Sequence, residues 1–269
     1  MALSVSPQGS ADTVAPLLSV LDVTVRFGGI IALDGISFDI APGEIAGLIG
    51  PNGAGKTTLF NCLSRLYVPT SGDIRYEGRS LLAEPRHRIA SLGLGRTFQN
   101  VALFDRMSVL DNVRVGCHSR SGAGVIASAL RLPGTLEEER AITERARELI
   151  AFMDIEDVAD QPAGPLPFPI RKRVELARAL GSSPKLLLLD EPAAGLNHEE
   201  VATLEAQIRR VRDMQKVTVL LVEHHMSLVM SVSDKVVVIN FGRKIAEGTP
   251  AEVQRNPEVI RAYLGTGEA

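Results

Sequence analysis

One stretch of the chain constrains its fold more than any other. Residues 50–57 read Gly-Pro-Asn-Gly-Ala-Gly-Lys-Thr, which fits G-x-x-x-x-G-K-[ST], the pattern of a phosphate-binding loop. The segment Glu44 to Ile49 before the loop predicts a short buried strand, and Thr58 to Leu63 after it predicts the first turns of a helix. A chance match to the pattern is the alternative, and the flanking strand and helix argue against it.

The residue types in this loop suit the binding of a phosphate chain. Glycines let the backbone approach a pyrophosphate closely, and free backbone N–H groups with the positive end of the helix dipole attract the anion. The side chain of Lys56 can reach the β- and γ-phosphates, and the hydroxyl of Thr57 can bind Mg²⁺. The predicted nucleotide-binding residues here are Gly50, Pro51, Asn52, Gly53, Ala54, Gly55, Lys56, Thr57 and Thr58.

Composition excludes several other classes of protein. The chain has 269 residues, 45% of them hydrophobic, and a net charge of -3, so a sizeable core is available and nothing global indicates a nucleic-acid partner. Cys62 and Cys117 lack the spacing of a metal site or a disulfide framework, which favours a cytosolic protein. No apolar run is long enough to span a membrane. Residues 1–16 are expected to form a disordered tail and not a signal peptide.

The first third of the chain predicts antiparallel strands around one strand–loop–helix unit. Apolar residues alternate from Leu21 to Phe27, which predicts a strand with one buried face. Further strands are predicted at 36–40 and 73–76, with glycine-containing turns beside them.

The middle of the chain predicts helices. From about 98–180 helical spacing replaces strand signals, and Thr135 to Met153 has the pattern of an amphipathic helix. The segment 119–134 is rich in Gly, Ser and Ala and is expected to be partly loop. We interpret 98–180 as a helical subdomain inserted into a nucleotide-binding domain that covers 17–269.

The last third predicts a parallel sheet. Strands at 185–190, 217–222 and 235–240 alternate with predicted helices, as in sheets built from crossover connections. Two short helices are predicted after them, the first from a capping box at Thr249 and the second at Asn256-Pro257.

A second group of candidate site residues follows the first of these strands. Four leucines, 186–189, are followed by Asp190 and Glu191. A buried parallel strand is continuously apolar, and ligands bind at its carboxyl end. Asp190 is therefore placed to hold Mg²⁺, and Glu191 to accept a proton from, or orient, an attacking water. The alternative, a solvated acidic turn, is disfavoured by the phosphate-binding loop upstream.

From about Leu17 to the end, the order of motifs resembles the ATP-binding subunit of an ABC transporter. The resemblance implies an α/β fold with a P-loop NTPase (RecA-like) core, an antiparallel β subdomain and an inserted α-helical subdomain. It also implies ATP and Mg²⁺ as cofactors.

The resemblance assigns roles to further residues. In this family an aromatic residue stacks on adenine, and Phe27 matches it, although Phe27 could also be the last core-facing residue of its strand. A glutamine between the core and the helical subdomain, matched by Gln99, senses Mg²⁺ and the transporter. A histidine after the next strand, matched by His224, contacts the γ-phosphate. The implied catalytic residues are Glu191, His224 and Gln99, and the implied metal ligands are Thr57, Gln99 and Asp190.

Several segments are similar to the branch of this family that imports branched-chain amino acids. They are 96–100, 191–197 and the ending from Ala246. Asn197 stands where the loop between the two ATPase subunits normally carries aspartate, as in that branch, and His225 stands where aspartate is often found.

The family signature, Leu-Ser-Gly-Gly-Gln, is degenerate in this chain. The helix that follows it matches residues 171–180, so the signature must be Leu166-Pro167-Phe168-Pro169-Ile170. Pro167 has neither hydroxyl nor N–H, Pro169 removes another N–H, and Phe168 adds bulk. We expect the helix to form, since proline suits a helix start, and its anion-binding end to be impaired. Each lost charge-assisted hydrogen bond is worth about 1.5–3 kcal/mol.

The resemblance implies an ATPase subunit of an importer for branched-chain or related small amino acids, amides or urea. Its expected partners are membrane-spanning subunits, a substrate-binding protein and a second ATPase subunit, at the cytoplasmic face of the membrane. The degenerate signature beside a complete set of nucleotide-side residues favours a different second chain, with a homodimer as the alternative. A regulatory ATP-binding module with little hydrolysis and the ATPase of a lipid exporter are the competing functions.

Overall fold

The computed structural model describes residues 15–97, 101–118 and 133–264. Its strands are β1 (Leu18–Phe27), β2 (Ile30–Ile40), β3 (Ile45–Ile49), β4 (Ser71–Tyr76), β5 (Arg79–Ser80), β6 (Leu94–Arg96), β7 (Leu186–Asp190), β8 (Thr218–Val222), β9 (Lys235–Asn240) and β10 (Arg243–Gly248). Its α-helices are α1 (Lys56–Leu63), α2 (Val109–Cys117), α3 (Pro133–Phe152), α4 (Phe168–Leu180), α5 (His198–Gln215), α6 (Met226–Val232), α7 (Pro250–Arg255) and α8 (Pro257–Leu264). No described helix is long and apolar enough to cross a membrane.

The larger sheet carries the predicted site. Its strand order is β10-β9-β3-β8-β7-β6, and all neighbours are parallel except β9 and β10. Every residue of β3, β7 and β8 is buried, as expected for parallel strands covered on both faces. Strands β3 and β7 both run parallel to β8, which lies between them. The phosphate-binding loop after β3 and the two carboxylates at the end of β7 therefore lie at the same edge of the sheet, with one strand between them.

Strand β3 anchors the phosphate-binding loop because its side chains enter two hydrophobic cores. Ile45 and Ile49 belong to the core that includes the helical part of the chain, whereas Ala46 and Leu48 belong to the core under the smaller sheet. This alternation is the two-residue period of a strand packed on both faces.

The smaller, four-stranded sheet has the order β2-β1-β4-β5 and is antiparallel. The prediction of one buried face for strand β1 is only partly correct. Val23 and Val25 are buried as predicted, but Leu21 and Phe27 are 38% and 46% exposed. The pairing of β1 with β2 shifts between Val20 and Val23 and again after Val25, so irregular pairing moves the flanking apolar side chains off the buried face.

The middle of the chain is helical, as predicted. Between 101 and 118 and between 133 and 180, the described residues form α2, α3, α4 and a short 3-10 turn, with a single isolated bridge from Ser108 to Pro162. Ile142, Leu149 and Ile150 of α3 are buried in the core. Pro133 and Gly134, predicted as the end of a loop, belong to α3.

Some predictions fall outside the described residues. They concern the tail up to residue 14, Gln99, and the segment 119–132. The boundaries of the helical subdomain also remain a prediction.

Candidate functional site

The phosphate-binding loop connects β3 to α1, as predicted. Gly55 is the N-cap of α1 with φ of 106°, a left-handed conformation that glycine adopts without strain. A Cβ at Gly55 would lie 2.7 Å from the carbonyl oxygen of Ala32, so no larger residue fits. The loop therefore packs closely on β2 while its N–H groups belong to a helix N-terminus, where anions bind.

Lys56 is buried beside this loop. Its Nζ donates hydrogen bonds to the carbonyl oxygens of Gly50 and Pro51, at 2.6 and 3.0 Å. Burial lowers the pKa of Lys56, and the charge of Glu191 opposes that shift. The ammonium is thus held over the loop and within the field of the carboxylate at the end of β7. Thr57 is exposed in the first turn of α1, and Thr58 is half-buried.

Asp190 ends β7 and is buried in an ion pair that the sequence did not reveal. Arg96 Nη2 donates to Asp190 Oδ2 at 3.0 Å, with side-chain exposures of 12% and 8%. The other terminal nitrogen of Arg96 donates to Asn61 Oδ1 and Ser64 Oγ at 3.1 and 2.8 Å, at the end of α1. Burial raises the pKa of Asp190, and the hydrogen bond and charge of Arg96 oppose the rise. Arg96 therefore ties the candidate metal ligand to the helix that carries the phosphate-binding loop.

The residues at this edge of the sheet fit Mg²⁺ chemically. Hydroxyl and carboxylate oxygens are the ligands that Mg²⁺ prefers, and Thr57 and Asp190 supply one of each. Among the described residues, no hydrogen bond or ion pair occupies the second carboxylate oxygen of Asp190, because Arg96 takes only Oδ2. The donor set is small enough to leave positions for phosphate oxygens and water.

Glu191 and His224 lie together at the ends of adjacent strands. His224 Nδ1 is 3.9 Å from Glu191 Oε2 and 3.8 Å from Glu223 Oε2. The imidazole is 54% exposed and the Glu191 side chain 22%, so solvent and a ligand can reach both. Glu191 has φ of 47°, a strained conformation for a non-glycine residue, of the kind that is concentrated at functional sites. His225, next in the chain, packs its ring against that of His224 at 4.9 Å.

Phe27 presents an aromatic ring to solvent at the end of β1. Its ring lies 5.3 Å from that of Tyr67 in an edge-to-face arrangement. The alternative reading of Phe27 as a core-facing residue is wrong, because the ring is 46% exposed. An exposed ring held on one edge can offer a face to a planar base.

The degenerate signature begins α4, as predicted. Pro167 is the N-cap, Pro169 occupies the first turn, and no side chain caps the helix. Only Phe168 and Ile170 offer N–H groups in this stretch, since both prolines lack one. The Phe168 ring fills the space beside Gly195, where an added Cβ would meet it at 3.1 Å, and Lys172 Nζ lies 5.5 Å from the ring centroid. Helix α4 therefore forms, but its N-terminus offers fewer N–H groups to an anion.

The structure thus brings most predicted site residues together and adds two. Arg96 and Glu223 partner the predicted residues, and sequence reasoning missed both roles. Glu223 had a detectable signal, a charged residue directly after a buried apolar strand. Asn197 caps α5 in a capping box with Glu200.

Comparisons with known proteins identify the family. A family model described as "ABC transporter" matches residues 33–194, more than half of the chain. A second, described as "Branched-chain amino acid ATP-binding cassette transporter", matches residues 243–269.

Curated relatives are similar over most of their length. The chain is 44% identical over 250 residues to the high-affinity branched-chain amino acid transport ATP-binding protein BraF of Pseudomonas aeruginosa. It is 42% identical over 250 residues to the corresponding protein LivG of Escherichia coli. Each match covers 93% of this chain and 98% of the relative.

Solved structures confirm the predicted fold class. The ADP conformation of an ATP-binding cassette of an ABC transporter matches with a TM-score of 0.81 and 28% identity, over 94% of this chain and all of that one. A nucleotide-free cassette matches with a TM-score of 0.80 and 28% identity, over 93% of this chain and all of that one. The chain belongs to the ABC transporter family and is one of its ATP-binding subunits, an ATPase coupled to transport.

Proposed function

We propose that this chain is the ATP-hydrolysing subunit of an importer of branched-chain amino acids. The observation that carries the proposal is the convergence of Lys56, Asp190, Glu191 and His224 at one edge of the parallel sheet. The names of BraF and LivG supply the substrate class, and the match at residues 243–269 supports the same branch. Related small amino acids, amides and urea are included among the proposed substrates.

The proposed roles follow from the geometry of each residue. The loop from Gly50 to Thr58 and Lys56 bind the phosphates, and Phe27 stacks on adenine. Thr57 and Asp190 hold Mg²⁺, which supplies charge neutralisation for the phosphates when bound. Glu191 accepts a proton from the attacking water, and His224 contacts the γ-phosphate. Gln99, outside the described residues, is proposed to sense Mg²⁺ and the transporter from its place in the chain between the core and the helical subdomain.

The proposed partners are two membrane-spanning subunits, a substrate-binding protein and a second ATPase subunit, at the cytoplasmic face of the membrane. Pro167, Phe168 and Pro169 support a second subunit that is a different chain. Such a partner would contribute an intact signature to this chain's phosphate-binding loop, while the site that received this chain's signature would turn over slowly. A homodimer is the alternative.

A regulatory ATP-binding module is the second candidate, and the weak anion-binding start of α4 favours it. The presence of Glu191 and His224 side by side favours hydrolysis, because binding alone does not need them. A lipid-exporting ATPase would share this chain's site and differ in its cargo.

Uptake by the reconstituted complex tests the proposal. Vesicles containing the complex and internal ATP are expected to accumulate labelled leucine, isoleucine or valine, with labelled urea and a small amide measured in parallel. Lys56→Ala should abolish uptake because the phosphates lose their cation. ATP-dependent movement of lipid without amino-acid uptake would contradict the proposal, as would amino-acid uptake that persists in the Lys56→Ala complex.

A further inference from the structure

One buried carboxylate joins the two strand ends that carry Glu191 and His224. Glu223 directly follows β8 and its side chain has no solvent exposure. Its Oε1 accepts a hydrogen bond from the Ala193 N–H at 2.6 Å. Its Oε2 accepts hydrogen bonds from the N–H groups of His224 and His225, at 3.0 and 3.2 Å. One side chain therefore binds three backbone donors from two different segments.

The segments it joins are those of the candidate catalytic pair. Ala193 lies in the turn that follows Glu191, and His224 begins the turn that leads into α6. The strands themselves are linked next to this point, since Asp190 pairs with Val222 and the Glu191 N–H donates to the Val222 carbonyl at 2.9 Å. Glu223 extends that connection beyond the last strand residues, where backbone pairing has ended.

The hydrogen-bond pattern requires a carboxylate. All three partners are N–H donors, and an ionised carboxylate only accepts hydrogen bonds. Glutamine in either orientation would place an NH₂ group against at least one N–H donor and leave a buried donor unsatisfied. A buried carboxylate whose hydrogen bonds are all satisfied is costly to replace, and it holds the backbone segments that it binds in one arrangement.

We propose that Glu223 is a positioning residue that holds Glu191 and His224 at a fixed separation for ATP hydrolysis. Its Oε2 lies 3.8 Å from His224 Nδ1, and Glu191 Oε2 lies 3.9 Å from the same nitrogen, so both carboxylates are close to one atom of the imidazole. The inference rests on the proposed roles of Glu191 and His224. Glu223 has no hydrogen bond to the phosphate-binding loop within the described residues, so it acts on the hydrolysis step and leaves nucleotide binding to β3 and α1.

Hydrogen exchange tests the connection independently of activity. In the full chain, Glu223→Gln is expected to speed amide exchange on the side that meets the new NH₂ group, either at Ala193 or at His224 and His225, while the amides of α1 stay as protected as before. Glu175→Gln, which changes another buried carboxylate in α4, is the matched control and should leave those three amides unchanged. Unchanged exchange at all three amides in a folded Glu223→Gln chain would overturn the inference.

A double-mutant cycle in the assembled complex tests the route of the effect. Glu223→Gln is expected to lower kcat about tenfold or more with little change in the KM for ATP, since positioning affects the hydrolysis step. Combined with His224→Ala, it should cause little further loss, because residues that act as one unit are not additive. Losses that multiply would overturn the inference.

Glu223→Asp keeps the charge with a shorter reach and should recover part of kcat; recovery no better than with Glu223→Gln would count against a positioning carboxylate. Failure of the proposed roles of Glu191 and His224 has a different signature. In that case His224→Ala and Glu191→Gln would both retain full turnover, whereas the exchange result would still decide whether Glu223 links the two segments.

Discussion

At the scale of single residues, the site depends on buried polar groups whose partners are distant in sequence. Arg96 and Asp190 are separated by 94 positions, and Ala193 and Glu223 by 30. The roles of Lys56, Asp190 and Glu191 could be proposed from the sequence, because each residue lies in or directly after a recognisable strand or loop pattern. Their partners could not, because a pairing across a sheet is decided by strand order.

The ion pair between Arg96 and Asp190 yields a stability prediction. Arg96→Ala leaves a buried carboxylate without its partner, which typically costs about 3–5 kcal/mol. Urea denaturation of the nucleotide-free chain in the presence of EDTA measures the loss. Arg75→Ala, which breaks an exposed pair with Asp73, is the control and should cost less than about 1 kcal/mol. Equal small losses in both variants would show that the buried pair has no special role.

The exposed ring of Phe27 yields a binding prediction. Phe27→Ala removes a stacking surface worth about 1–3 kcal/mol per base, so the affinity for ATP should fall about tenfold. Because the ring is 46% exposed, the free energy of unfolding should change little. Titration with a fluorescent ATP analogue measures the affinity, and Phe104→Ala, at another exposed phenylalanine, is the control. An unchanged affinity in Phe27→Ala would leave the contact with Tyr67 as the sole role of the ring.

At the scale of helices and strands, the sequence predicted the parallel sheet well and the edge strands poorly. Strands β3, β7 and β8 are buried throughout and are apolar except for Asp190 and Thr218 at their ends, and such apolar runs are the signal of buried parallel strands. Strand β10 was missed because its residues are exposed or half-buried and carry no such run. Strand β6 was missed because it has three residues, fewer than any pattern needs.

Strand β1 shows a different limit of sequence reasoning. Its alternation was detected, but the irregular pairing next to Asp22, which has φ of 51°, changes which side chains face inward. Bulges depend on the partner strand, so the alternation of one strand cannot place them. Helix α7 near the end of the chain was predictable, because its capping box at Thr249 involves contacts within four residues and no partner strand.

Helix α4 yields a prediction about the signature. Replacing residues 167–170 by Ser-Gly-Gly-Gln restores a hydroxyl and two backbone N–H groups at the helix start. We expect ATP turnover of the assembled complex to rise, because the opposite nucleotide regains donors to its γ-phosphate. Circular dichroism should show the same helix content, since the rest of α4 is unchanged. Turnover equal to wild type would mean that this end of α4 does not face a nucleotide.

At the scale of the whole molecule, the two halves of an ATP site are unequally preserved. The edge of the parallel sheet carries the loop at Lys56, the carboxylates at the end of β7 and His224. Lys56 and Asp190 are held by buried contacts, and His224 lies beside Glu191. The start of α4 carries Pro167 and Pro169, which offer no N–H groups, and no side chain caps it. We propose that a chain built in this way serves as the nucleotide-holding half of a site and receives a signature from a second subunit.

The central claim is therefore that this ATPase works as one member of an unequal pair. The most direct test is ATP turnover by the purified chain alone, then with a candidate second ATPase subunit and the membrane subunits. We predict turnover only in the assembled complex, and its loss when this chain carries Glu191→Gln. Hydrolysis by the isolated chain at the rate of the complete transporter would contradict the claim.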